Sequence, residues 1–132
     1  MFSESIIGMP KGKTAKPKVV KKPWGSFEVL SKGKDCTIKL LTVKSGEELS
    51  LQYHKHRDEF WKIISGSAKV TVGNKTKRAK LRGEFFVPRK TKHQIKAGKT
   101  GVKVLEVSFG KFSENDIVRL KDKYKRDKRK KK

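Results

Sequence analysis

The chain has 132 residues, of which 36 are lysine or arginine and 13 are aspartate or glutamate, giving a formal net charge of +23. This length allows one domain with a modest hydrophobic core. Its single cysteine, Cys36, excludes an internal disulfide and a cysteine-based zinc cluster. No apolar run is long enough to cross a membrane. We therefore expect a cytoplasmic protein. Its positive charge should attract anions, but the charge alone does not select among nucleic acid, acidic membranes and phosphorylated metabolites.

Both ends of the sequence are basic and poor in apolar residues. The stretch PKGKTAKPKVVKKP, which begins at Pro10, combines three prolines with six lysines. Such segments bury little and stay flexible, so we expect a basic arm over 1–22 and a basic tail over 121–132, flanking a folded domain at 23–120. Blocks of like charge are typical of interaction tails, so non-specific contact with nucleic acid or another anion is expected there.

From Trp24 onward, short apolar or alternating runs are separated by turn residues such as Gly73 and Asn74. The runs are rich in β-branched and aromatic residues, which is typical of strands. The predicted strands cover residues 24–30, 36–43, 49–54, 59–65, 68–72, 76–81, 84–88, 93–97 and 102–109. Their spacing favours an antiparallel sandwich or barrel. One helix is predicted near the C-terminus, where Ser113 and Asp116 form a capping pattern before IVRLKDKYK.

Two of the three histidines, His54 and His56, lie in the stretch SLQYHKHRDEFW. Residues two apart on a strand share a face, so Gln52, His54 and His56 are predicted to point the same way, with Glu59 folding back beside them. The remaining histidine, His93, begins a later predicted strand. Two imidazoles, a carboxylate and an amide oxygen suit a divalent transition ion. The alternative is a polar cluster without a metal.

The spacing around these residues resembles the two sequence motifs of the cupin superfamily. G-x5-Q-x-H-x4-E-x6-G, from Gly46 to Gly66, resembles the first motif with glutamine in place of its first histidine. G-x4-P-x4-H, from Gly83 to His93, resembles the second, although one residue is missing before the proline and Lys90 replaces a glycine. The resemblance implies an all-β cupin fold, a double-stranded β-helix or jelly-roll barrel, with a metal at its mouth. The predicted short C-terminal helix would follow the barrel.

Longer segments of the sequence resemble one particular family within the cupin superfamily. Over about residues 22–126, the chain is similar to the isomerase domain of type II mannose-6-phosphate isomerases. The segments that carry this similarity are KPWGSFEVL, SGEELSLQYHKHRDEFWKIISGSAKVTVG and DIVRLKDKYKR. In that family the domain usually follows a mannose-1-phosphate guanylyltransferase domain. No glycine-rich nucleotide loop precedes Trp24, so we expect a free-standing isomerase-type domain without guanylyltransferase activity.

The resemblance also implies a site. Its cofactor would be one divalent metal ion, with zinc as the first choice and Mn, Co or Fe as alternatives, and the matching ligand positions are Gln52, His54, Glu59 and His93. His56 matches a family histidine beside the metal, and whether it binds the ion or acts as an acid or base stays open. The implied reaction interconverts mannose 6-phosphate and fructose 6-phosphate through an enediol(ate), with a base moving one proton between C1 and C2.

Candidate catalytic bases are Glu106, His56 and Lys39. Glu106 has apolar neighbours that would raise its pKa, although a structural carboxylate is equally open. Candidates for binding the substrate phosphate are Arg89, Arg57, Lys90 and Arg119. Arg89 follows Pro88 on the loop to His93, so we expect it to face the barrel mouth.

Two other functions remain open from the sequence. The chain could be a metal-binding cupin that binds a sugar phosphate or nucleotide sugar without isomerising it. It could also be a basic nucleic-acid-associated protein built on an inert barrel. For any of these, a homodimer is the usual cupin expectation, and the isomerase would serve carbohydrate metabolism and polysaccharide biosynthesis.

Overall fold

The computed structural model describes residues 18–126, which form nine strands. The strands are β1 Lys18–Lys22, β2 Gly25–Lys32, β3 Cys36–Val43, β4 Leu51–Tyr53, β5 Arg57–Val72, β6 Lys75–Lys80, β7 Glu84–Val87, β8 His93–Gly110 and β9 Val118–Lys121. Within this described range, no helix has the length and apolar character needed to cross a membrane. All the predicted strands are found, with two adjacent pairs merged into the long strands β5 and β8.

The antiparallel pair of β5 and β8 is the spine of the sheet. It runs from Arg57 opposite Gly110 to Val72 opposite His93. Strands β3, β2 and β1 extend the sheet from β8 on one side, β4 and β9 extend it from the His93 end, and β6 and β7 pair with β5. Glu59 and His93 lie near opposite ends of this ladder, yet their ligand atoms are within 4.8 Å of each other. The sheet therefore curls round and closes into a barrel.

Alternation along β3, β5 and β8 builds an interior that is polar at one end and apolar at the other. Side chains that point inward form three cross-strand rows, which are Thr37–Ser108–Glu59, Lys39–Glu106–Trp61 and Leu41–Val104–Ile63. Below the last row, Val43, Val70 and Ile95 continue the core. Burial of this apolar end supplies the main driving force for folding, at about 25 cal/mol per Å². It also leaves the polar end free for a site.

Close approach of the two long strands depends on a pair of glycines. Gly66 in β5 and Gly101 in β8 have φ values of +78° and +76°. A Cβ atom on Gly66 would lie 2.1 Å from the carbonyl oxygen of Gly101. Glycine is required there both for the left-handed backbone and for the space. The predicted break at Gly66 is therefore a bend within one strand.

The predicted C-terminal helix is wrong, because the chain after Ser113 enters strand β9, which pairs with β4. The capping pattern forms a turn instead, in which the Asp116 N–H donates to the Ser113 carbonyl at 3.1 Å. The Asp116 carboxylate then accepts the backbone N–H groups of Lys55 and His56, at 2.8 and 3.0 Å. These bonds direct the chain across the barrel mouth.

The predicted basic arm over 1–22 also differs from the structure at its end. Lys18–Lys22 form β1, which pairs with β2 from Lys18 opposite Val29 to Lys22 opposite Gly25. Residues 1–17 lie outside the described residues. In the predicted tail, Lys121 belongs to β9, and 127–132 lie outside the described residues as well.

Candidate metal centre and adjoining cavity

Three buried side chains, those of His54, Glu59 and His93, converge at the polar end of the barrel. His54 Nε2 lies 3.3 Å from Glu59 Oε2 and 3.2 Å from His93 Nε2. His54 follows the end of β4, Glu59 lies in β5 and His93 begins β8, so three separate strands bring the group together. The structure thus joins three of the four predicted metal ligands.

The chemistry of this donor set fits a metal ion. His54 Nδ1 is 2.6 Å from the Asp116 carbonyl oxygen, and His93 Nδ1 is 2.9 Å from the Thr91 carbonyl oxygen. A carbonyl oxygen only accepts, so each Nδ1 carries the proton and each Nε2 presents a lone pair. Two lone pairs facing each other at 3.2 Å repel, and a cation between them would relieve the repulsion. Metal-binding histidines are commonly held in this way.

Both imidazoles are neutral near pH 7, as a metal ligand must be. Burial lowers the pKa of His54 to about 4, although the Glu59 carboxylate opposes the shift. Burial likewise lowers the pKa of His93. Burial alone would raise the pKa of Glu59, but the pKa is lowered overall, and the Arg57 guanidinium and the Trp61 indole N–H contribute to this. The resulting set is two neutral imidazoles and one carboxylate.

Arg57 completes this cluster in the structure. Its Nε donates to Glu59 Oε2 at 2.9 Å, and its Nη2 lies 3.2 Å from His54 Nε2. Its Nη1 donates to the Ser113 carbonyl at 3.0 Å. The guanidinium places a positive charge beside the carboxylate and the lone pair. A metal bound by these residues would share Glu59 with Arg57.

A cavity of about 300 Å³ opens beside the cluster. Gln52 and His54 line it, and Gln52 Oε1 accepts a hydrogen bond from the Ser50 hydroxyl at 3.1 Å. Gln52 also lies directly opposite His93 where β4 pairs with β8. The described charged residues that line the cavity are Lys18, Lys22, Lys39, Arg57, Arg119, Arg126, Glu106 and Glu114. The cavity is therefore rich in cations.

Glu106 is a buried carboxyl group on the wall of this cavity. Burial raises the pKa of Glu106 to about 8, with the Glu59 carboxylate acting in the same direction and Lys39 opposing it. Lys39 and Trp61 are its cross-strand neighbours on either side. The pKa of Glu106 is raised in the predicted direction, but burial and the Glu59 carboxylate are the causes rather than apolar sequence neighbours, and Lys39 is beside it.

His56 does not join the site. Strand β4 ends at Tyr53, so the alternation that predicted a shared face with His54 does not continue. His56 is exposed and lines a separate depression with Lys111. Arg57 takes the inward position in its place.

Two of the predicted phosphate-binding residues also lie away from the cavity. Arg89 is half exposed and pairs with Asp58 at 3.3 Å, so it does not face the mouth as predicted. The Lys90 side chain is exposed, although its backbone N–H donates to the His54 carbonyl at 2.6 Å. Arg57 and Arg119 do line the cavity.

Sequence reasoning missed three residues of the site. Lys18 and Lys22 line the cavity because β1 is a strand, and the only signal for this was the valine pair within KVVKK. Asp116 orients His54 and fixes the loop before β9, but its spacing to Ser113 was interpreted as a helix cap.

Comparison with known proteins assigns the chain to a family. The family model described as mannose-6-phosphate isomerase C-terminal matches residues 11–122. The chain belongs to this family. Mannose-1-phosphate guanylyltransferase 2 of Escherichia coli O157:H7 is 38% identical over 108 residues, and the match covers 80% of this chain and 22% of that protein. The alginate biosynthesis protein AlgA of Pseudomonas aeruginosa is 38% identical over 107 residues, with coverages of 80% and 22%.

The chain spans about a fifth of the length of these curated relatives. Among solved structures, oxalate decarboxylase from Bacillus subtilis superposes with a TM-score of 0.72 at 22% identity, covering 79% of this chain and 30% of that one. The comparisons confirm the predicted family, and the structural match confirms the predicted cupin barrel.

Proposed function

We propose that this domain is a metal-dependent aldose–ketose isomerase that interconverts mannose 6-phosphate and fructose 6-phosphate. The observation that supports this best is the position of Glu106, a buried carboxyl group, beside the His54–Glu59–His93 cluster on a cation-rich cavity. Membership of the family supports the choice of sugar phosphate.

A single divalent ion would be held by His54, Glu59 and His93, with Gln52 as the fourth donor. Zinc is our first choice, because two imidazoles and a carboxylate suit it, and Mn, Co and Fe are the alternatives. When bound, the ion would act as a Lewis acid on the sugar oxygens.

Glu106 is the proton carrier in this proposal. As a carboxylate it removes the proton from C2 of mannose 6-phosphate, and the electron pair forms the C1–C2 double bond of the enediol(ate) while O1 takes up the charge. The O2 hydroxyl proton passes to O1, and Glu106 returns its proton to C1 as the C2=O bond forms, which gives fructose 6-phosphate. A raised pKa makes its carboxylate a stronger base than an ordinary glutamate.

The substrate phosphate is assigned to the cations of the cavity rather than to Arg89 and Lys90. Lys18, Lys22 and Arg119 line the cavity from β1 and β9. Arginine and lysine bind phosphate oxygens by charge-assisted hydrogen bonds.

A coupled assay for fructose 6-phosphate tests the proposal. Protein stripped with a chelator should be inactive, and protein reloaded with Zn, Mn or Co should convert mannose 6-phosphate much faster than unphosphorylated mannose. Elemental analysis of the same samples reports metal occupancy. Loaded wild-type protein with no detectable isomerisation would overturn the proposal and favour a cupin that only binds its sugar.

A further inference from the structure

Lys39 is a buried ammonium group whose partner is unusually exposed. The residue is 5% exposed, and its Nζ lies 3.0 Å from Glu114 Oε2, whose side chain is 60% exposed. The Phe27 and Phe112 rings flank the same Nζ, with their centroids at 4.1 and 4.4 Å. Glu114 lies on the segment between β8 and β9, outside both strands. A buried charge is thus neutralised by a group at the surface.

The same segment rests on a second cation. The Arg57 guanidinium lies 4.5 Å from the Phe112 ring centroid and donates to the Ser113 carbonyl. Residues 112–114 therefore cover two cations, Lys39 and Arg57, that also line the cavity. Two described carboxyl groups line this cavity, and Glu114 is the exposed one, whereas Glu106 is buried.

A second observation also indicates an anionic ligand. The Arg119 Nε–H is buried and has no hydrogen-bond partner among residues 18–126, and Arg119 lines the same cavity. An unpaired buried donor is costly, at about 1–3 kcal/mol, so an acceptor is expected to reach it. A phosphate monoester offers three acceptor oxygens and up to two negative charges, whereas Glu114 offers one charge to Lys39.

We propose that Lys39 is the anchor of a phosphate subsite, and that the Glu114 carboxylate occupies this subsite until a phosphate monoester displaces it. The assignment of the monoester as a sugar phosphate rests on the proposed function. Phosphate binding at the subsite does not depend on isomerase turnover. Glu114 then determines affinity, because the ligand must replace an existing ion pair.

Binding of inorganic phosphate to the full chain, measured by isothermal titration calorimetry, tests this directly. Glu114→Gln keeps the size of the side chain but removes its charge, so phosphate should bind about three- to fivefold more tightly, as expected for a lost competing ion pair. Lys39→Met should reduce phosphate binding at least tenfold, and its thermal melting shows whether the barrel still folds.

Glu84→Gln is the matched control. Glu84 pairs with Lys62 at 3.2 Å, is 53% exposed and lies away from the cavity, so the variant has the same change in net charge. Equal affinity changes in the Glu114 and Glu84 variants, or weaker phosphate binding by Glu114→Gln, would overturn the subsite.

The outcomes separate the subsite from the isomerase. Tighter phosphate binding by Glu114→Gln without any turnover of mannose 6-phosphate by wild-type protein supports the subsite and overturns the proposed function. Turnover with the same KM in the Glu114 and Glu84 variants supports the function and overturns the subsite.

Discussion

The surroundings of Glu106 bring its pKa close to neutral pH, so that the protonated form predominates near pH 7 and a carboxylate fraction remains to act as the base. Burial is the largest cause of its raised pKa, and the nearby Glu59 carboxylate adds to it. The folded state therefore binds this proton more tightly than the unfolded state does. Its contribution to stability is complete below the unfolded pKa, near 4.5, and is lost as the pH rises through about 8.

Glu106→Gln should lower isomerase turnover by about 10²- to 10⁴-fold, since amides do not carry protons in this way. Its bound metal, measured by elemental analysis, should be unchanged. In metal-free protein, urea unfolding should show a shallower loss of stability between pH 5 and pH 8 than in wild type. Unchanged turnover would exclude Glu106 as the proton carrier.

Two histidines give a matched pair for the metal site. His93→Ala should abolish metal binding, and with it the rise in melting temperature that the metal causes, because a ligand is lost from the cluster. His56→Ala should leave metal binding and turnover unchanged, because His56 is exposed outside the cavity. Loss of turnover in His56→Ala would restore its predicted acid–base role. Calorimetric titration with Zn and Mn measures the first effect.

The residues that could hold a metal were predictable from sequence, whereas their neighbours were not. Motif spacing located His54, Glu59 and His93 because a fixed fold converts that spacing into fixed positions. The position of His56 depends on where β4 stops, and alternation alone does not reveal the end of a strand. The cation Arg57 was predicted only as a phosphate ligand, because its bond to Glu59 depends on that same irregular turn.

At the scale of elements, alternating strands were predictable because one face of each is buried. Strand β3 shows this fully, with every second residue buried from Thr37 to Val43. Strands β1 and β9 were not predictable, because both lie at edges and pair with partners that local composition does not indicate. The spacing of Ser113 and Asp116 predicted a helix cap for the same reason. The turn that they form is stabilised by hydrogen bonds from the distant Lys55 and His56 backbone, which local sequence does not indicate.

The bend that joins the halves of β5 can be tested with two glycines. Gly66→Ala should destabilise the domain by at least about 2 kcal/mol, because a Cβ would collide with the Gly101 carbonyl and strain a backbone at φ +78°. Gly46→Ala has a similar φ of +73° but nothing within 4 Å, so it should cost about 1 kcal/mol from strain alone. Urea denaturation measures both. Equal losses would mean that the close approach of the strands has no energetic role.

At the scale of the whole molecule, one outer face is apolar although the chain is strongly basic. The face is formed by β7, β5, β8 and β3, and its apolar side chains are Cys36, Ile38, Leu40, Phe60, Phe86, Leu105, Val107 and Phe109. Its charged residues Asp58 and Lys62 are paired with Arg89 and Glu84. Two copies of the chain would repel each other least across this face.

We therefore expect a homodimer through this face, in line with the prediction from sequence. Phe86 is 57% exposed, and Phe86→Asp should shift the protein to monomer in sedimentation velocity experiments. Leu120 is 45% exposed on β9, and Leu120→Asp should leave the dimer intact. Monomeric wild-type protein at micromolar concentration would contradict the expectation.

The curl of the β5–β8 ladder has a consequence for the order of folding. Val72 and His93 pair across the segment that contains β6 and β7, whereas Glu59 pairs with Ser108 at the far end and closes a longer loop. Closing the longer loop costs more chain entropy, so Glu59 should reach His93 only after the barrel has formed. An ion held between them would bind after the folding barrier has been crossed. Metal should therefore slow unfolding several-fold and leave the folding rate almost unchanged.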